Sequence, residues 1–179
     1  MVLSVIRHPS EIRLESSALG NALVGVLVRS ERGFSMATHV LVPLDGSPQS
    51  WAAFDYAVSN YDGGAITTLH VVDPIEGMYG DYDSYYDAQA YERALERGDE
   101  LGDQARDRAD DAGILETTVL ESVVETGQPA RTILEYVDEN DVDHIVIGSH
   151  GRSGVARILL GSVAETVIRR APVPVTVVR

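Results

Sequence analysis

Four glycines, Gly148, Gly151, Gly154 and Gly161, lie in one short stretch, followed at once by Ser162 and three residues later by Glu165. Glycine lets a backbone take positive φ and approach a ligand without a Cβ in the way. Ser162 and Glu165 have the spacing of a capping box, which predicts a helix starting at Ser162. A helix start presents unpaired N–H groups and about half a positive charge. The chemistry this stretch can do is therefore anion binding, for phosphate above all. A tight strand-to-helix turn would use the same glycines, so local charge is what separates the two readings. From Met36 onward 25 of 144 residues are Asp or Glu, and an even spread would put about four of them in the stretch from His144 to Ala164. That stretch has none, and it holds Arg152, Arg157, His144 and His150 instead. A polyanion can sit there without repulsion. His150 is the one general base facing the loop. It reads as a phosphate hydrogen bond or a spacer, so no catalytic residue is assigned.

The elements that must position this loop follow from hydrophobic pattern. His144 to Ile147 is a short apolar run of the kind buried on both faces of a sheet, and Thr38 to Leu44 is another. After the first comes the glycine loop. After the second comes Asp45-Gly46-Ser47-Pro48, in which Ser47 caps a helix and Pro48 takes its first position. That helix runs to about Ser59 with Trp51, Phe54 and Val58 inward. Gly63-Gly64 precedes a strand from Ala65 to Val72. Asp73 to Asp87 is irregular and carries Tyr79, Tyr82, Tyr85 and Tyr86, either a lid whose rings stack on a base or a solvated crossover. A helix from about Asp87 to Ala112 puts Tyr91, Ala94, Leu95, Leu101, Ala105 and Ala109 inward. Thr117 to Val124 is a strand. Thr126-Gly127-Gln128-Pro129 opens a helix to Glu139 with Ile133, Leu134 and Val137 inward. The helix from Ser162 runs to Ala171, and Val173 to Val178 is the last strand. This alternation predicts an α/β fold, a five-stranded parallel sheet with helices on both faces. Ligands of such sheets bind beyond the carboxyl ends of the strands, where strand order reverses. Asp45-Gly46-Ser47 and Gly148 to Gly151 meet there if the first and fourth strands are neighbours.

Composition narrows the chemistry. The chain has 179 residues, 44% of them hydrophobic, enough for one core. Net charge is −14, and all 14 basic residues are arginine. Without lysine there is no Schiff base, no P-loop lysine and no receiver-domain lysine. Lysine depletion with acid excess resembles the proteins of salt-accumulating halophiles. The acidity argues against a nucleic-acid partner. No cysteine is present, which removes disulfides and thiolate chemistry and fits the cytoplasm. No apolar run approaches the ~20 residues of a membrane span. Asp138 to Asp143 lacks the glycine and terminal glutamate of a calcium loop, so no metal site is assigned. Residues 1 to 35 carry four arginines against three glutamates. They read as an extension, a loose arm or an over-extended start, before a domain spanning 36 to 179.

Gly148-x2-Gly151-x9-Gly161-Ser162 has the spacing of the nucleotide-binding motif of ATP-binding universal stress proteins. Val42-Pro43-Leu44-Asp45-Gly46-Ser47 resembles that family's opening strand, and the likeness extends from Met36 to Arg179. The resemblance implies a flavodoxin-like strand order 3-2-1-4-5 and ATP as ligand, with Mg2+ or Mn2+ able to accompany it. It implies that Asp45 contacts the adenosine part and that Pro43 and Val71 line the adenine pocket. It further implies that Gly148, Gly151, Gly161, Ser162 and Val163 hold ribose and phosphates through backbone N–H groups, with His150 and Arg152 beside the phosphates. A homodimer through Val173–Val178 is implied as well. Two other readings compete with a nucleotide-dependent stress-response module. One is a dimeric scaffold of the same fold without nucleotide. The other is a relative of the adenylating ATP pyrophosphatases, whose serine-glycine-glycine-x-aspartate-serine loop is absent from Leu44-Asp45-Gly46-Ser47-Pro48.

Overall fold

The computed structural model describes residues 38–74, 88–151 and 160–179. Its elements alternate: β1 (His39–Pro43), α1 (Pro48–Asn60), β2 (Ala65–Val72), α2 (Ala88–Asp111), β3 (Val119–Thr126), α3 (Pro129–Glu139), β4 (His144–Gly148), α4 (Ser162–Arg170) and β5 (Val175–Val178). The strands form one parallel sheet of order β3-β2-β1-β4-β5. β1 and β4, the two apolar runs, are the central neighbours, and their interiors are fully buried. The order reverses between them.

Side-chain alternation along the strands divides the core into two layers. On one face Val40, Val42, Ile66 and Val146 pack with Phe54 and Ala57 of α1 and with Leu101, Ala105 and Ala109 of α2. On the other, Leu41, Leu69, Ile145 and Ile147 pack with Ile133 and Val137 of α3 and with Ala164 and Val167 of α4. Trp51 is only partly buried, edge-on to Phe54 with the Arg108 guanidinium 4.3 Å above its ring. α2 lies close to the sheet at Gly98 and Gly102, where an added Cβ would come within 2.7 Å of Val124 and 2.9 Å of Ser122.

Two strands start two residues later than their runs in the sequence. β3 begins at Val119 because the Thr117 and Thr118 N–H groups close the turn after α2 on the Ile114 carbonyl, and both hydroxyls donate to Asp62. β5 begins at Val175 because Val173 sits between two prolines that have no N–H for a ladder. The acidic turn before β4 has a structural task, since Asp143 accepts the His39 N–H that begins β1. Among the described residues no helix is long and apolar enough to cross a membrane.

Candidate nucleotide site

β1 and β4 end side by side, and the turns that leave them are joined. After β1 the chain reverses at Gly46, whose φ of +82° is the left-handed conformation that glycine takes without strain. Asp45 Oδ1 accepts the Ser47 N–H at 2.9 Å. Ser47 caps α1 by accepting the Ser50 N–H at 3.2 Å, and Pro48 takes the first position, as its sequence predicts. The same Ser47 hydroxyl donates to the His150 carbonyl at 3.4 Å, tying the first turn to the glycine loop.

The loop after β4 is held at both ends. Ser149 is 2% exposed, and its N–H donates to the Val178 carbonyl at 2.7 Å. Its carbonyl accepts the Gly161 N–H at 2.8 Å, which brings the start of α4 beside Ser149, His150 and Gly151. His150 Nδ1 lies 3.2 Å from the Ser149 hydroxyl. Asp45, Ser47, His150, Gly151 and Gly161 thus lie together beyond the carboxyl ends of β1 and β4. Val163 is half-buried against the α3–α4 layer. Pro43 shares the face of Leu41, and Val71 packs into that layer too, so both stand at its carboxyl edge. Arg152, Arg157, Gly154 and the tyrosines from Tyr79 to Tyr86 lie outside the described residues.

The glycines act differently from expectation. Gly148, Gly151 and Gly161 are not in the positive-φ region. Gly148 is needed for close packing, because a Cβ would lie 2.7–2.8 Å from backbone atoms of Gln49 and Ser50 in α1. Gly151 lies over the Asp45 carboxylate, where a Cβ would be 2.6 Å from Oδ2. At Gly161 a Cβ would make ordinary contact with His150 and Ser149 at 3.5–3.6 Å, so among the described residues nothing there excludes one.

The capping box is also corrected. Gly161, extended at φ −72° and ψ 158°, is the N-cap of α4, and Ser162 is its first helical residue. Glu165 pairs with Arg169 one turn on, at 2.9 Å, instead of reaching back. Having no side chain, Gly161 caps none of the first N–H groups of α4 itself, and among the described residues no side chain is seen to do so, whereas Ser47 caps α1. Of the two helices that start beyond β1 and β4, α4 is the one whose own cap residue has no acceptor to offer.

His144 does not belong to the site. It opens β4 at the amino end of the sheet, four residues or about 13 Å from Gly148. Its Nε2 meets the Thr176 hydroxyl at 2.9 Å, and its ring packs on Tyr61. Burial lowers its pKa below the ordinary histidine value. The sequence pattern also gave no sign of the Ser47–His150 link or of buried Ser149, because hydroxyls in glycine-rich turns look alike in sequence. Among the described residues no group of three or more His, Asp or Glu side chains can hold a metal ion.

The family model described as the universal stress protein family matches residues 36–179. A universal stress protein of Methanocaldococcus jannaschii is 31% identical over 173 residues, 90% of this chain and 92% of the relative. The solved structure of a universal stress protein from Lactobacillus plantarum is similar with a TM-score of 0.58 and 28% identity, covering 82% of this chain and all of that one. A universal stress protein in complex with cAMP is similar with a TM-score of 0.61 and 28% identity, covering 81% of this chain and 99% of that one.

Proposed function

We propose that this chain, which belongs to the universal stress protein family, binds ATP in the crevice between β1 and β4 and acts as a nucleotide-dependent stress-response module. The observation that carries the reading is the start of α4, whose cap residue Gly161 has no side chain, pinned by the Gly161–Ser149 hydrogen bond beside a loop free of carboxylates. Phosphate oxygens would accept from the N–H groups of Gly161, Ser162 and Val163, where the helix dipole favours negative charge. Arg152 and His150 would add donors. The Asp45 carboxylate, held by the Ser47 N–H, would accept from the ribose hydroxyls or the adenine amino group. Pro43 and Val71 would give the base an apolar wall. The 28%-identical relative that holds cAMP supports an adenine nucleotide as the ligand class. Any Mg2+ or Mn2+ would travel with the phosphates and take its remaining ligands mostly from water.

The proposed unit is residues 36–179, working in the cytoplasm as a homodimer. β5 is an edge strand of valines and threonine, and pairing two copies would cover its open backbone groups. Sedimentation at micromolar concentration in high salt should give a dimer, and a monomer alone would rule out that pairing. Calorimetric titration of ATP, AMP and adenosine into the full chain, and into one beginning at Met36, tests the rest. Both proteins should bind all three ligands, ATP most tightly. Failure of the full chain to bind any of them would leave the fold as an interaction scaffold. Failure of the shorter chain alone would make residues 1 to 35 part of the domain.

A further inference from the structure

His70 is a buried histidine, 4% exposed, in the middle of an otherwise apolar strand end. Its Nδ1 lies 2.7 Å from the Leu44 carbonyl. A carbonyl only accepts, so Nδ1 carries the proton and donates. Leu44 is where β1 leaves the sheet. Its N–H still donates to the Leu69 carbonyl at 2.9 Å, extending the rung that pairs Pro43 with Leu69. A parallel ladder would next offer the Leu44 carbonyl to the backbone of β2. The His70 ring takes up that carbonyl and holds the chain as it turns toward Asp45. The ring itself is confined from behind, since a Cβ on Gly98 of α2 would stand 3.0 Å from its Cδ2.

Asp45 follows Leu44 by one peptide, and Val71 follows His70 by one peptide. Beyond the Leu44–Leu69 backbone bond, this side-chain hydrogen bond is what holds together the two strand ends that carry these residues. We infer that His70 is a positioning residue, setting the spacing between Asp45 and Val71 and so the width of the nucleoside slot. The inference rests on the nucleotide reading above and deepens it. His70 acts on the nucleoside half and leaves the phosphate half at α4 alone.

The test compares His70→Asn, whose amide nitrogen can stand near the place of Nδ1, with His70→Leu, which has no donor. Adenosine and ATP are titrated into wild type and both variants at high salt, with thermal melts recorded alongside. The Asn variant should bind both ligands within about threefold of wild type. The Leu variant should bind both on the order of tenfold more weakly, with the ratio of the two dissociation constants unchanged. A purely structural role would lower the melting temperature of the Leu variant and leave the affinity of its folded fraction intact, and that result overturns the inference. If the Leu variant does not fold, His70→Gln, which keeps an amide but moves it outward, replaces it with the same expectation. Wild type binding neither ligand would sink the nucleotide reading and this inference with it. Wild-type binding with equal affinity in the donorless variant would sink this inference alone.

Discussion

Replacing Gly151 with alanine separates a turn from a binding site. The new Cβ would lie 2.6 Å from Asp45 Oδ2, and ordinary contact begins at 3.4 Å, so the carboxylate must retreat by about 0.8 Å. The obstacle is the tip of a side chain, which can swing, so the backbone need not move. If Oδ1 moves as far and away from Ser47, its 2.9 Å contact with the Ser47 N–H passes beyond hydrogen-bonding range. As a bond to a carboxylate it is worth at most about 1.5–3 kcal/mol, below the ~5–15 kcal/mol of a typical domain, and the protein stays folded. Binding suffers too. If Asp45 accepts a hydrogen bond from the nucleoside as a carboxylate, misplacing it costs about 1.5–3 kcal/mol, or roughly 10- to 150-fold in dissociation constant. Adenosine and ATP should weaken alike, because the phosphates sit elsewhere. A double-mutant cycle makes the attribution specific. Asp45→Ala combined with Gly151→Ala should bind no worse than Asp45→Ala alone, since both changes remove one contact. Calorimetry with adenosine, together with thermal melts, reads all four proteins. A folded Gly151→Ala protein that binds adenosine as wild type does would refute the placement of Asp45 in the site.

Gly161→Val should leave the fold nearly intact, since there is room for a Cβ and φ is unstrained, at a cost of about 0.5–1 kcal/mol for a poorer N-cap. Its two methyls project where phosphate would lie, so ATP binding should be lost, and wild-type affinity would show the loop to be a turn only. Net charge of −14 produces self-repulsion screened over ~10 Å at 0.1 M salt and ~3 Å at 1 M. The melting temperature should therefore rise between those two conditions, and an unchanged value would count against the halophile-like reading. His144 has a lowered pKa in the folded chain, so the unfolded chain takes up its proton first as pH falls. The contribution of this residue is present above the unfolded value near 6.5 and is lost as pH falls through the lower folded value. Protonation of carboxylates shifts stability in the same range, so the readout is a difference. Between about pH 7.5 and 5.5, His144→Gln should lose less stability than wild type, and equal losses would exclude the assignment.

The architecture was largely legible in the sequence, because β-branched runs bounded by glycine and proline mark buried strands unambiguously. The β2 run from Ala65 to Val72 matches the observed strand to the residue. The cap at Ser47 was legible too, since a hydroxyl directly before proline has one good use at a helix start. Ser162 was misread because a serine three residues before a glutamate fits a capping box. Which residue becomes the cap depends on ψ at Gly161 and on the competing pull of Arg169, and neither is local to the motif. Glycines were ambiguous for a related reason. A glycine signals either positive φ or close approach, and only packing decides. Gly148 answers to the backbone of α1 and Gly151 to Asp45, both distant in sequence. His70 gave no signal within its strand, because its partner carbonyl belongs to a different strand.

Following backbone amides of isotope-labelled protein by NMR during titration with ATP addresses the site most directly. The account predicts saturable shifts concentrated at Gly46, Ser47, Gly151, Gly161, Ser162 and Val163, with the amides of β3 and of the amino ends of β1 and β4 unmoved. Shifts confined to other parts of the chain, or none at millimolar ATP, would contradict it.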